Sequence, residues 1–469
     1  MSSTFGLIVG NRDFFPDELA RASREEMMRV LQEEGFSVVS PSPEETRFGV
    51  VETWEDAKKC AALFKENQEK IDGIIVSLPN FGDEKAASDS IRLSGLEVPV
   101  LVHAFPDDLD ALDLPHRRDS FCGKISVCNN LTQYGIPFSL TRSHTISPQD
   151  ADFKEDISWF AGVCRLVRGL KNIKLGAIGA RPNAFKTVRF SEKILESYGI
   201  SVETIDLSDI FAGMSKISDE DSALKAKIEK IRFYCNTEGI PPEKISTIAR
   251  FGITVERWMK DNDLVASAIQ CWTSLQNNLG IMPCTVMSMM SEKLLPSACE
   301  VDITGVLAMY ALQLASGSPS ALTDWNNNYG NDPDKGIIFH CGNFAKSIFD
   351  EKVKMHYGDI ISSTVGKQNA YGSLTGKIKS GALTYARFTT DDLDGCLRAY
   401  VGEGEVTEDE LNTFGARGVV RIPRMQELLK FICKNGFEHH VAINLFSVAS
   451  IFNEAISSYF GIETYWHRQ

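Results

Sequence analysis

The sequence lacks any sustained run of lysine or arginine, and its 469 residues carry a formal charge of −14. A protein that binds the phosphate backbone needs a basic surface, so this composition argues against a nucleic-acid partner. The chain also lacks an apolar stretch that approaches the length of a transmembrane helix, which argues against insertion in a membrane. Its first residues show no basic segment followed by an apolar core, so we expect no secretory signal.

Closely spaced cysteines are missing as well, because the eleven cysteines are scattered singly and no CxxC pair occurs. Isolated thiols in an odd number indicate a reduced cytoplasmic protein rather than a disulfide framework, and their spacing predicts no zinc site made of thiolates. The stretch GAIGARPNA, residues 176–184, lacks the GxGxxG spacing of a dinucleotide site. Phosphate-binding GxxxxGK[ST] loops and GxSxG elbows are also missing, so nucleotide hydrolysis and serine hydrolase chemistry have no support.

Short apolar runs alternate with amphipathic segments through the first third of the chain, beginning with FGLIVG and ELARASREEMMRVLQEEG. This alternation is typical of strand–helix–strand units, and it resumes after a polar, acidic stretch at residues 146–157. After residue 341, runs such as GALTYARFTT alternate apolar and polar residues, as half-buried antiparallel strands do. We predict an α/β chain with two Rossmann-like parallel-sheet domains, residues 1–155 and 156–340, followed by a β-rich, barrel-like domain at 341–469.

Two acids stand where a parallel sheet would bring them together. Glu300 lies in PSACEVD, just before the apolar helical run ITGVLAMYALQLA, and Asp324 ends a short predicted strand 24 residues later. If both acids end parallel strands, they converge on one crevice, since ligands bind outside the carboxyl ends of such strands. The alternative is structural: Glu300 and Asp302 serve the helix start, and Asp324 opens a turn rich in asparagine.

Histidines are scarce, and three of the eight lie beside apolar runs. His439 and His440 occur together in GFEHHVAIN, and His340 ends the strand-like run GIIFH. A lone histidine in such a place is more often a core residue than a ligand. Two carboxylates with one or two imidazoles, however, are the donor mixture that suits a divalent metal such as Mn²⁺.

These segments resemble the L-fucose and L-arabinose isomerase family. The resemblance rests on ACEVDITGVLAMYALQLASGSPSALTDW, GKIKSGALTYARFTT and GFEHHVAINL. The first domain resembles the family mainly in its architecture and in the segment NNLTQYGIPFS. Asp324 and its 24-residue spacing from Glu300 are similar to the fucose branch. His340, 16 residues after Asp324 and 100 before His440, is similar to an additional histidine ligand of the arabinose branch.

The resemblance implies a metal-dependent enzyme that interconverts an aldose and a ketose through a cis-enediol. It implies a three-domain subunit in a trimeric or hexameric homo-oligomer with active sites shared between subunits. Glu300 and Asp324 are the expected catalytic acid and base, and both are expected to bind Mn²⁺ or another divalent metal with His440. His340 is either a further ligand or a substrate contact.

Substrate contacts are expected from five further residues. The alternative for each of them is an ordinary structural role. Gln270 and Trp272 in AIQCWTSL are similar to a polar and aromatic pair near the fucose-branch pocket. Trp325 is a candidate for stacking on the sugar, or else a core residue. Arg181 and Lys186 are candidates for binding a charged substituent, or else part of a solvated helix start.

Three functions therefore stay open. The first is isomerisation of a neutral monosaccharide. The second is isomerisation of an anionic 6-substituted hexose, such as a sulfonated 6-deoxyglucose, for which an anion would need charge-assisted donors. The third is a sugar-binding relative without catalytic activity.

Overall fold

The computed structural model describes residues 3–350 and 352–468. The chain divides into two compact units, Met1–Arg168 with Glu454–Gly461, and Gly169–Asn453 with Ile462–Gln469. The domain boundaries predicted at residues 155 and 340 stay predictions. Every helix of the described residues is too short or too polar to span a lipid bilayer, and the cytoplasmic location stays a prediction.

The first unit is built on a five-stranded parallel sheet with the strand order β2-β1-β3-β4-β5. The third strand, GIIVSL, is buried at every position, as expected for a parallel strand covered on both faces. The elements of this unit, with α5 running on past its last residue, are β1 (Thr4–Val9), α1 (Asp17–Glu33), β2 (Ser37–Val39), α2 (Trp54–Glu66), β3 (Gly73–Leu78), α3 (Glu84–Ser94), β4 (Val100–Ala104), α4 (Ser120–Gln133), β5 (Ser139–Leu140) and α5 (Ala151–Leu170).

The second unit begins with a four-stranded parallel sheet of order β7-β6-β8-β9. Its elements are β6 (Ile173–Ile178), α6 (Glu192–Ser197), β7 (Ile200–Ile205), α7 (Leu207–Ser215), α8 (Ser222–Tyr234), α9 (Pro242–Asp261), β8 (Ala266–Ile269), α10 (Ser274–Leu279), α11 (Cys284–Glu292), β9 (Ser297–Cys299) and α12 (Ile303–Ser316). These two sheets confirm the predicted pair of parallel-sheet α/β folds.

A nine-stranded mixed sheet completes the second unit. Its elements are β10 (Ser320–Asn328), β11 (Lys335–His340), β12 (Lys354–Tyr357), α13 (Asp359–Val365), β13 (Tyr371–Lys377), β14 (Gly381–Asp391), β15 (Cys396–Val406), β16 (Ala416–Arg421), α14 (Met425–Lys434), β17 (His440–Asn444), α15 (Ala449–Asn453) and β18 (Glu463–His467). Because β16 pairs with both β11 and β15, six strands close into a ring of order β16-β11-β10-β17-β14-β15. The β-rich, barrel-like fold predicted for the C-terminal part is confirmed.

The strand that carries Asp324 lies in a different sheet from the one expected. We expected Glu300 and Asp324 each to end a parallel strand, but Asp324 lies in the middle of β10, which is antiparallel to β11 and β17. The chain turns back directly after β10 and forms a hairpin with β11, and a short connection of this kind permits only antiparallel pairing. Helix α12, buried over most of its length, packs against strands of both sheets, so residues at its start lie where the two sheets meet.

Candidate active site

Glu300 is presented by a tight turn between β9 and α12. The amide of Asp302 donates to the carbonyl of Cys299 at 3.0 Å across this turn. Its two central residues, Glu300 and Val301, both have positive φ, 56° and 57°. Type I′ turns have this combination, which residues other than glycine seldom adopt and which tends to occur at functional sites. The turn leaves the Glu300 side chain buried, yet lining a cavity.

Three of the four residues predicted as metal ligands, Glu300, Asp324 and His340, line this cavity, and His440 lies beside them. Asp324 and His440 are register partners on β10 and β17, and His440 Nε2 lies 3.4 Å from Asp324 Oδ1. The same Nε2 lies 3.9 Å from Glu300 Oε2. His340, the last residue of β11, places its Nε2 3.8 Å from that oxygen.

Two carboxylate oxygens of this site stand without a hydrogen-bond partner in the described part of the chain. Glu300 Oε2 and Asp324 Oδ1 are buried, and neither has a hydrogen-bond partner among the described residues. A buried polar atom without a partner is costly, so the two oxygens call for a ligand. The potential ligand atoms form two groups, Glu300 with His340 and His440, and Asp324 with His439 and His440, so that His440 belongs to both. The donors, carboxylate oxygens and imidazole nitrogens, fit a divalent metal ion.

The ring of His440 is oriented from behind by a buried network. Its Nδ1 lies 2.7 Å from Asp302 Oδ2, and Asp302 also accepts two hydrogen bonds from Arg387, at 2.6 and 2.9 Å. Arg387 donates further to Glu438 at 3.0 Å and to Thr304 at 2.9 Å. Burial alone would raise the pKa of Asp302, but the charge of Arg387 and the hydrogen bonds from His440 and Arg387 outweigh it and hold this pKa below its usual range. Asp302 is therefore an anion that accepts a hydrogen bond from Nδ1–H of His440.

The other oxygen of Glu300 is held by two donors. Trp272 Nε1 donates to Glu300 Oε1 at 3.0 Å, and the thiol of Cys271 lies 3.3 Å from the same atom. Burial raises the pKa of Glu300, while the nearby His340 and His440 oppose that rise. The carboxyl is thus fixed at one oxygen and open to the cavity at the other.

The cavity has a volume of about 380 Å³, which suits a small ligand. Its walls are mainly apolar, with Phe185, Trp272, Phe339 and Phe414 among the lining residues. Helix α13 contributes hydroxyl and carboxyl groups, and the Glu300 end carries the convergent polar atoms. The residues that line it are Phe185, Trp272, Met282, Glu300, Asp324, Phe339, His340, Cys341, Gly358, Asp359, Ile360, Ile361, Ser363, Thr364, Ser373, Phe414 and Gly415.

The predicted substrate contacts fall into two groups. Trp272 lines the cavity and holds Glu300. Gln270 accepts a hydrogen bond from the amide of Ala180 at 2.9 Å, and Trp325 donates to Tyr400 at 3.1 Å. These partners give Gln270 and Trp325 structural roles, and their substrate contacts stay predictions.

Arg181 and Lys186 lie on the loop after β6, on either side in sequence of the cavity residue Phe185. Lys186 is exposed, and Arg181 Nη1 donates to the carbonyl of Pro182 at 2.9 Å. Their contacts with a charged substituent stay predictions as well.

Two features of the site are not indicated by the spacing of residues in the sequence. Asp302 was expected to serve only the helix start. It does accept a hydrogen bond from the amide of Gly305 at 2.8 Å, but it also orients the ring of His440. The sequence feature that indicates this buried network is Arg387, an arginine in the middle of the apolar strand GALTYARFTT. The isolated cysteines gave no sign of clustering, yet Cys299 and Cys341 lie with His340 in a group of potential metal ligands.

Comparison with known proteins covers most of the chain. A family model described as "Fucose/sulfoquinovose isomerase, N-terminal domain" matches residues 6–171, and one described as "L-fucose isomerase, C-terminal domain" matches residues 338–467. The chain is 23% identical over 435 residues to the sulfoquinovose isomerases of Priestia aryabhattai and Priestia megaterium, covering 92% of each chain. It is 25% identical over 328 residues to the sulfoquinovose isomerase of Alkalicoccus urumqiensis, covering 69% of this chain and 71% of that one.

Proposed function

We propose, on the premise that the chain belongs to the fucose isomerase family of sugar aldose–ketose isomerases, that Glu300, Asp324, His340 and His440 form its catalytic centre. The observation that supports this centre is the convergence of their free atoms. Two carboxylate oxygens without protein partners and two imidazole nitrogens are joined by distances of 3.4 to 3.9 Å.

The same four side chains would hold a divalent cation, for which we propose Mn²⁺. Both histidines would use Nε2, because Nδ1 of His440 is engaged by Asp302. Bound there, such a cation would act as a Lewis acid on O1 and O2 of the sugar and make the adjacent C–H more acidic.

Glu300 and Asp324 would move the protons. Isomerisation of an aldose removes the proton on C2 and delivers a proton to C1 of the cis-enediol, a task for a general base and a general acid. Trp272 and Cys271 keep Oε1 of Glu300 in place, so Oε2 is the oxygen available for proton transfer. The aromatic walls would exclude water and present flat surfaces to the C–H faces of the sugar.

For the substrate we propose a sulfonated hexose. The relatives that align with 92% of this chain are named sulfoquinovose isomerase. A sulfonate needs charge-assisted donors, and Arg181 and Lys186, which flank the cavity residue Phe185 in the chain, are the proposed source.

A neutral deoxyhexose or pentose is the second candidate. The lining of the cavity, as far as the structure describes it, supplies hydroxyl groups from Ser363, Thr364 and Ser373 but neither lysine nor arginine. Hydroxyl groups and apolar walls suit an uncharged sugar.

Incubation of the Mn²⁺-loaded protein with sulfoquinovose, L-fucose and L-arabinose, followed by measurement of the ketose, separates these candidates. We expect ketose from sulfoquinovose with the highest kcat/KM. The double variant Arg181→Gln with Lys186→Gln should raise KM for the sulfonated sugar only, whereas Lys193→Gln, an exposed control, should not. Sugar binding without ketose across the whole panel would favour the non-catalytic alternative.

We also propose that the chain forms a homo-oligomer, a trimer or hexamer. Large apolar side chains within residues 109–125 are at least half exposed: Leu109, Leu112, Leu114, Phe121 and Ile125. Exposed apolar groups of this kind are typical of interaction surfaces. Sedimentation analysis at assay concentration should give three or six chains, and a monomer with full activity would contradict the proposal.

A further inference from the structure

Four cysteines from distant parts of the sequence gather behind the catalytic centre. Cys271 and Cys299 follow and end strands of the parallel sheet, Cys284 begins α11, and Cys341 follows β11. The thiols of Cys284 and Cys341 lie 3.9 Å apart, and Cys341 Sγ lies 3.4 Å from Nδ1 of His340. Ligand atoms of Cys299, Cys341 and His340 all lie within 4.8 Å of one another.

The separation of Cys341 Sγ from His340 Nδ1 is close to that of two ligands of one tetrahedral cation. With a zinc–sulfur distance of about 2.3 Å and a zinc–nitrogen distance of about 2.0 to 2.1 Å, tetrahedral ligands lie about 3.8 Å apart for two sulfurs and about 3.6 Å for sulfur and nitrogen. We propose that Cys299, Cys341 and Nδ1 of His340 form a second site, for a thiophilic divalent cation such as Zn²⁺. Cysteine often acts simply as a small apolar core residue, and Cys299 does pack in an apolar cluster, but sulfur and imidazole nitrogen lie beside its thiol as well.

The site has a route to solvent. Cys341 is only partly buried, and it lines the same cavity as Glu300 and His340. A cation can therefore reach the thiols through the cavity that admits the substrate, without opening the core.

His340 belongs to both sites, and this sharing has a chemical consequence that rests on the function proposed above. Neutral imidazole has one lone pair available to a metal, on either Nε2 or Nδ1. When Nδ1 binds the thiophilic cation, Nε2 carries the proton and faces Glu300 Oε2, 3.8 Å away, as a donor. The proposed catalytic metal then loses one of its four protein ligands, so occupation of the thiolate site should weaken Mn²⁺ binding.

Cobalt titration tests the thiolate site separately from the catalytic one. Co²⁺ is added to reduced protein carrying Glu300→Gln and Asp324→Asn, which removes the carboxylate ligands. We expect a sulfur-to-cobalt charge-transfer band that saturates at one ion per chain and is displaced by Zn²⁺. The band should be lost on adding Cys341→Ala or Cys299→Ala and kept with Cys235→Ala, a buried cysteine outside the cluster.

The proposal is overturned if the band is missing in the folded parent protein, or if it survives Cys341→Ala. If the cysteine variants fail to fold, thiol protection in the parent protein decides. Zn²⁺ should shield Cys299 and Cys341 from a thiol reagent, and unchanged reactivity would overturn the site. In wild-type protein, electron paramagnetic resonance of free Mn²⁺ should show affinity at least ~10-fold weaker after Zn²⁺ loading. Equal Mn²⁺ affinity would overturn the shared histidine. A charge-transfer band in the parent protein, together with a wild-type protein that forms no ketose, would count against the proposed function alone.

Discussion

At the scale of single residues, Asp302 decides which nitrogen of His440 faces the cavity. Its carboxylate accepts from His440 Nδ1 at 2.7 Å and is kept ionised by Arg387. A neutral imidazole has one donor and one acceptor nitrogen, so Nε2 keeps its lone pair toward Glu300 and Asp324. Asp302 is a positioning residue for the proposed metal centre.

Asp302→Asn should weaken Mn²⁺ binding by ~10- to 100-fold, the range typical for loss of the carboxylate behind a metal-binding histidine. The side-chain oxygen that caps α12 is retained, so the loss reflects the His440 contact rather than the cap. Calorimetric titration of Mn²⁺ measures it, with Asp206→Asn as the control because Asp206 caps α7 through Ser208. Equal affinities in the two variants would contradict the positioning role.

The residues of the site differ in how far the sequence alone could identify them. Glu300, Asp324, His340 and His440 could be named because their types and spacing resemble a family of metal-dependent isomerases. The second role of Asp302 could not, because its partner His440 is 138 residues away and only tertiary structure joins them. The cysteine cluster could not be predicted for the same reason, because its members lack the sequence spacing of metal ligands.

At the scale of elements, Arg387 joins the start of α12, strand β14 and the segment before β17. It is fully buried and pairs with two buried acids, Asp302 and Glu438. The network fixes His440 relative to Glu300, since one residue begins β17 and the other precedes α12.

Arg387→Ala should lower the free energy of unfolding by about 3 to 5 kcal/mol, because it leaves two buried carboxylates without their cation. Arg421→Ala is the matched control on the same sheet, since this arginine is 44% exposed and its ion pairs should contribute about 1 kcal/mol or less. Denaturant unfolding of both variants measures the difference. Similar losses would show that the buried network does not stabilise the barrel.

The sequence indicates most elements because the parallel strands are short apolar runs and the barrel strands alternate in polarity. Strand β10 is the exception, since its first half, SALT, has the buried character of a parallel strand. Its pairing depends on the hairpin with β11 and on β17, which lies more than 100 residues later. The local sequence pattern therefore predicts a strand at β10 but assigns this strand to the wrong sheet.

At the scale of the whole molecule, metal binding should couple to stability. A ligand that binds only the folded state stabilises it by about 2.7 kcal/mol at 100 times its Kd. Mn²⁺ should therefore raise the thermal midpoint of the wild-type protein, and Glu300→Gln combined with Asp324→Asn should abolish the rise. A scanning calorimetry experiment with and without Mn²⁺ measures it, and an equal rise in the double variant would place the metal elsewhere.

Isomerisation in D₂O followed by NMR measures whether Glu300 belongs to a proton-transferring isomerase centre. Mn²⁺-loaded wild-type protein with sulfoquinovose should give a ketose that carries solvent deuterium at C1. If the proton removed from C2 is passed directly to C1, the ketose forms without deuterium. Glu300→Gln, confirmed to be folded, should form that ketose at least ~10²-fold more slowly, the loss typical for a general base. A metal-replete Glu300→Gln protein that forms ketose at the wild-type rate would show that Glu300 does not transfer the proton.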